Sequence, residues 1–132
     1  MPSDWAGIPA VNGQGNARSI ARVQSILATG GIARLEDGST KRIMSEAGCR
    51  PDLVMMGMPA RFGLGFALPG PLLKLAFPNP NSLFWTGAGG SVIIIDLDAH
   101  GTYAYAMNKM ESGPLGDPRS FRLIESMWQA MA

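Results

Sequence analysis

The sequence predicts an α/β protein: an antiparallel sheet flanked by helices. Three observations carry this. The stretch LFWTGAGGSVIIIDLDAHGTYAYAMNKM, Leu83 to Met110, alternates extended apolar runs with a Gly-rich corner and a tight turn. Within it Val92-Ile93-Ile94-Ile95 is apolar on both faces, the pattern of a strand covered above and below. Two further segments, one opening at Ala17 and one at Pro118, place apolar residues at helical spacing.

The elements follow in chain order. Met1 to Gly15 holds Pro2, Gly7, Pro9, Gly13 and Gly15 and reads as an irregular entry. Asn16 suits a helix N-cap, because its side chain accepts from a backbone N–H that the helix leaves unpaired. Ala17, Ile20, Val23 and Leu27 then form an apolar stripe, and Gly30-Gly31 ends the helix. Asp37-Gly38 is a turn signal, and Ser45-Glu46 opens a short helix that Pro51 stops. Met55, Met56 and Met58 read as core or loop filling. RFGLGFAL, Arg61 to Leu68, alternates Phe62, Leu64 and Phe66 with small or basic residues and suggests a strand, with Gly63 and Gly65 permitting close approach. Pro69 to Asn81 is a loop or lid, with a short turn at Leu72 to Leu75. Asp98-Ala99-His100-Gly101 supplies a hairpin turn. In Thr102 to Met107, Tyr103, Tyr105 and Met107 line one face and Thr102, Ala104 and Ala106 the other, where small side chains let a helix pack closely. Asp117 caps and Pro118 begins the last helix, whose apolar side is Leu123, Ile124, Met127, Trp128 and Met131.

Length and composition bound the function. A chain of 132 residues makes one domain with a modest core: an irregular entry over 1–15, a helix-and-loop region over 16–81, and a three-strand sheet segment with its helix over 82–132. A net charge of +1, with the basic residues scattered, gives no electrostatic reason to expect nucleic acid or an anionic membrane. Cys49 is the single cysteine, so an intrachain disulfide or a cysteine metal cluster cannot form. The apolar run at Val92 to Ile95 is far too short to span a bilayer, and the N-terminus lacks the pattern of a signal peptide. The default expectation is a cytoplasmic protein.

Three constellations invite chemistry. Ser91, His100 and Asp96 or Asp98 have the residue types of a catalytic triad. Ser91 and His100 lie at opposite ends of one strand, however, which places them on the order of 25 Å apart. His100 is then an ordinary turn residue. GAGGS resembles a phosphate loop but leads into a strand and is followed by no lysine. Asp96 and Asp98 alone are too few to hold a metal, so no metal and no cofactor is expected.

Taken together, the helix GNARSIARVQSILATGG, the FGLGF strand, the WTGAGGS corner, the YAMNKM strand and the terminal helix GDPRSFRLIESMWQAM resemble the C-terminal half of the serine β-lactamase and penicillin-binding-protein superfamily. The resemblance is nearest to class C β-lactamases and family VIII carboxylesterases, and implies the C-terminal half of a β-lactamase/transpeptidase-like fold. In that superfamily the corner strand walls the active site and usually begins Lys-Thr-Gly or His-Thr-Gly. Here the triplet is Trp85-Thr86-Gly87, and family VIII esterases commonly carry Trp there. A lysine helps hold the carboxylate of a β-lactam. A tryptophan offers an apolar stacking wall and one N–H donor, which favours neutral esters. The resemblance further implies that the Ala88 backbone N–H is one of two oxyanion-hole donors, and that Trp85, Thr86, Gly87 and Ala88 line the substrate wall. A preorganised donor of this kind is worth about a hundredfold in rate.

Two superfamily motifs are absent. No serine here has lysine three residues later, so the Ser-Xaa-Xaa-Lys nucleophile is missing. No Tyr-Xaa-Asn or Tyr-Xaa-Ser occurs either, so no catalytic residue is identified. The expectation is a partial domain, a fragment inactive alone that acts on a small ester or amide when completed by an N-terminal half. The alternatives are a binding or assembly module reusing the half-fold, or part of a β-lactamase or peptidoglycan peptidase. The resemblance implies that absent N-terminal strands pair beside the Thr102 to Met107 strand. An open edge there predicts a homo-oligomer, a strand-swapped dimer or a partner chain, unless Ile32 to Leu35 or Met1 to Ile8 covers it.

Overall fold

The computed structural model describes residues 13–29, 61–70, 77, 79–111 and 118–131. Helix α1 runs Ala17–Ala28, strands β1 Arg61–Phe62, β2 Ala67–Leu68, β3 Ser82–Thr86, β4 Val92–Asp96 and β5 Gly101–Tyr105, and helix α2 Pro118–Met131. The expectations at Met1 to Ile8, Ile32 to Leu35, Asp37-Gly38, Ser45-Glu46, Cys49, Met55 to Met58, Leu72 to Leu75 and Asp117 lie outside the described residues.

The five strands form one antiparallel sheet in the order β1-β2-β3-β4-β5, each beside its sequence neighbour. Leu83 pairs with Ile95, Trp85 with Ile93, Val92 with Tyr105 and Ile94 with Tyr103. Because side chains alternate along a strand, this register sorts the apolar residues into two layers. Leu83 and Ile95 are buried with Ala28 and Leu68, and Leu27 and Ile93 pack against them. Phe84, Val92 and Ile94 are buried with Ala67, Phe77 and Ile124, against which Tyr103, Tyr105 and Trp128 pack. One layer thus engages α1 and the other α2. The both-face apolarity of β4 has its cause in this helix–sheet–helix arrangement. Thr102 and Ala104, opposite Ile95 and Ile93, fall in the register of the α1 layer, where small side chains let α1 approach β5.

Helix α1 starts as its sequence dictates. Asn16 Oδ1 accepts from Ser19 N at 2.9 Å, and Ser19 Oγ accepts from Asn16 N at 3.2 Å, a reciprocal cap. Several expectations need correction. Among the described residues the sheet has five strands: the three expected over 82–132, and two more because RFGLGFAL is a hairpin and not one strand. Gly65 adopts φ +82°, Gly63 N donates to Phe66 O at 2.9 Å, and Phe62 pairs with Ala67. Two nearby glycines let the chain reverse where alternation alone reads as extension. Strand β5 begins at Gly101 and ends at Tyr105, so Ala106 and Met107 lie beyond it and the turn is Leu97 to His100. Val23, expected on the buried stripe, is 62% exposed, and the buried position is Ala28. In α2, Leu123 is 48% exposed and Met131 is exposed too, whereas Ile124 is 1% exposed. Periodicity finds an apolar arc, but the width of the sheet decides which part of it is covered.

Candidate functional site

The Gly-rich corner joins β3 to β4. Thr86 pairs with Val92, and beyond them Gly87 N donates to Ser91 O at 2.8 Å and Gly90 N to Gly87 O at 3.1 Å. Gly89 has φ +92° and Gly90 φ +114°, conformations that a side chain disfavours. A positive φ at the third residue of a four-residue turn is the type II requirement, and Gly89 meets it. Ala88, between Gly87 and Gly89, is exposed, and its N–H finds no acceptor among the described residues. A backbone donor held on a tight turn and left unpaired is the element an oxyanion site needs.

Trp85 precedes this corner and is 42% exposed, the most solvent-open residue of β3. Its ring lies 5.3 Å from that of Phe62, tilted by 59°. A tilted aromatic pair at this separation is favourable and restricts the indole. The structure therefore brings Trp85, Thr86, Gly87 and Ala88 onto one strand end and turn, with an apolar ring at its start and a free N–H at its finish.

The other constellation is dispersed. Ser91 Oγ sits 2.7 Å from Met107 Sδ at the corner end of β4. His100 occupies the turn at the far end, with φ +53°, and its Nδ1 lies 2.9 Å from Ala28 O. Since a carbonyl only accepts, Nδ1 carries the proton in this contact and ties the turn to the end of α1. Asp96 is buried and fully engaged: Oδ1 accepts from Asp98 N at 2.9 Å and Ala99 N at 2.8 Å, and Oδ2 from Asn79 Nδ2 at 2.6 Å. Asp98 accepts from Asn81 Nδ2 at 2.9 Å. These carboxylates shape the turn and do not meet Ser91, so no triad forms. GAGGS leads into β4, and no helix N-terminus follows it to hold a phosphate. Among the described residues no group of three or more His, Cys, Asp or Glu side chains could hold a metal.

A cleft of about 270 Å³ opens at this far end, between α2 and the β4–β5 hairpin, lined by Ile94, Asp96, Gly101, Tyr103, Trp128 and Met131 among others. Tyr103 has its phenol pushed above the usual 10.0, first by burial and then by the neighbouring Tyr105. The cleft is separated from the corner by the length of β4 and contributes nothing to it.

Two features of the corner escape sequence reasoning. The Phe62–Trp85 contact depends on the unforeseen hairpin, for which Gly63 and Gly65 were the available signal. The packing of Met107 and Met110 against Gly89 joins residues about twenty positions apart, and no local pattern announces it.

The fold and corner define the class first: an antiparallel sheet between two helices, of the β-lactamase-like kind. The chain is similar to the crystal structure of a family VIII carboxylesterase, at 34% identity and TM-score 0.74, over 87% of this chain and 31% of that one. It is also similar to a penicillin-binding-protein homologue from Caulobacter crescentus, at 30% identity and TM-score 0.76, over 88% of this chain and 32% of that one. No family model matches the sequence, and no curated protein matches it. These likenesses support the β-lactamase/penicillin-binding-protein-like superfamily, and the chain spans about a third of the length of these two structures. No helix among the described residues is long and apolar enough to cross a membrane.

Proposed function

We propose that this chain is the C-terminal part of a serine hydrolase of the esterase kind, acting on small neutral esters through an acyl-enzyme. The observation that carries this is the corner itself: the unpaired Ala88 N–H set one turn from the exposed, Phe62-backed indole of Trp85. Trp85 would hold the apolar part of the ester, and the Ala88 N–H would meet the carbonyl oxygen as negative charge develops on it. An apolar wall where related enzymes place a cation favours a neutral ester over an anionic β-lactam. The likeness to a carboxylesterase supports the same reading. The likeness to a penicillin-binding-protein homologue supports a second one, part of a β-lactamase or peptidoglycan peptidase, against which Trp85 weighs.

The nucleophile and base would come from polypeptide that this sequence does not contain, since Ser-Xaa-Xaa-Lys and Tyr-Xaa-Asn are both missing from it. Strand β5 is the place for that polypeptide to join. Among the described residues it pairs only with β4, and Gly101 to Tyr105 carries no charge or proline of the sort that blunts natural edges. The same edge would allow a strand-swapped dimer or serve an assembly module.

The test is p-nitrophenyl acetate and butyrate hydrolysis by the purified chain, beside Trp85→Ala and a fluorophosphonate label for activated serines. The expected result is neither turnover nor labelling. Stoichiometric labelling of one serine, with turnover lost on its substitution, would overturn the reading and make Ser91 the first residue to examine.

A further inference from the structure

The corner is not held by its own turn alone. The segment after β5, Met107 to Glu111, lies across it. Glu111 N donates to Gly89 O at 3.1 Å. A Cβ at Gly89 would stand 2.8 and 2.9 Å from Met110 Cε and Cγ and 3.1 Å from Met107 Cε, so both side chains are pressed onto the turn. The Met107 sulfur also meets Ser91 Oγ at the other end of the loop. The segment is anchored in turn from α2, where Arg119 Nη2 donates to Lys109 O at 2.8 Å.

From these contacts we infer that Met107 to Glu111 is a strap that positions the Ala88 N–H, with Met110 its clamp on Gly89 and Arg119 its anchor. The physical need is plain. A five-residue loop with three glycines has many conformations, and a donor acts as an oxyanion ligand only when its direction is fixed before charge develops. The backbone bond to Gly89 O and the methionine contacts restrict that freedom at the residue next to Ala88. Methionine suits the task, since an unbranched side chain conforms to a surface of bare backbone. Met110 and Arg119 are positioning residues here, acting through Gly89. The inference rests on the reading of Ala88 as a donor for its functional meaning, but not for its geometry.

Amide hydrogen exchange and ¹H–¹⁵N chemical shifts of the full chain test it. In Met110→Ala the Gly89 and Glu111 amides are expected to exchange about tenfold faster, with a displaced Ala88 resonance, while β4 amides stay unchanged. Met110→Leu should restore both. Arg119→Gln should move the Glu111 and Ala88 signals as well, through loss of its bond to Lys109 O. Unaltered Ala88 and Gly89 signals in Met110→Ala and Arg119→Gln would overturn the strap. These readouts need no turnover, so failure of the strap is separate from failure of the hydrolase reading, which the serine-labelling experiment decides.

Discussion

Gly89→Ala offers the most direct probe of how the corner is built. Two costs act together. The residue holds φ +92°, where an L side chain is strained by about 1–3 kcal/mol. Its new Cβ would also meet Met110 at 2.8–2.9 Å and Met107 at 3.1 Å, distances at which something must move. Met110 is 66% exposed and can swing into solvent, so the steric part should stay near the low end of overpacking costs, about 1 kcal/mol. The expected total is about 2–4 kcal/mol. Gly65→Ala is the natural control: Gly65 has φ +82° but nothing among the described residues within 4 Å of its Cβ site, so it reports backbone strain alone. Urea unfolding followed by tryptophan fluorescence would measure both. Gly89→Ala should cost about 1 kcal/mol more than Gly65→Ala, and that excess should shrink in a Met110→Ala background. An equal or smaller loss for Gly89→Ala, or no coupling to Met110, would refute the packing argument.

Other consequences can be checked alongside. Ile124→Ala, at 1% exposure, should lose about 2–5 kcal/mol, whereas Leu123→Ala, one position along the same helix, should change stability by less than about 0.5 kcal/mol. The Thr102 hydroxyl is buried with no hydrogen-bond partner among the described residues, so Thr102→Val, which keeps the shape, should raise the urea midpoint by the equivalent of about 1 kcal/mol. Tyr103 has a raised folded-state value, first from burial, so its neutral form favours the fold. That contribution is intact below the unfolded value near 10.0 and is lost as pH rises through the folded one. Stability measured against pH should therefore fall more steeply above pH 10 in the wild type than in Tyr103→Phe, and parallel curves would contradict this.

Local chemistry made much of this molecule legible. Asn16 announced its cap because capping is a contact across three residues. Val92 to Ile95 announced a covered strand because burial on both faces removes alternation. The separation of Ser91 from His100 followed from strand rise alone. The corner motif announced a tight turn because glycine spacing reflects backbone conformation directly. The failures have a common cause too. Val23 and Leu123 fit an apolar period, but exposure depends on where a neighbouring element stops, and that is not written in the helix itself. RFGLGFAL alternates as a strand would, yet the freedom of Gly65 lets it fold back, and pairing of Ala67 with Phe84 holds the hairpin on the sheet.

The sequence by itself determined the layer type, the capped start of α1 and the absence of the nucleophile motif, because each depends on neighbours within a few residues. Only the tertiary structure decided that Trp85 is backed by Phe62 and that Gly89 lies under Met107 and Met110. Those are contacts between elements, and their distances are set by packing the two helices against one sheet.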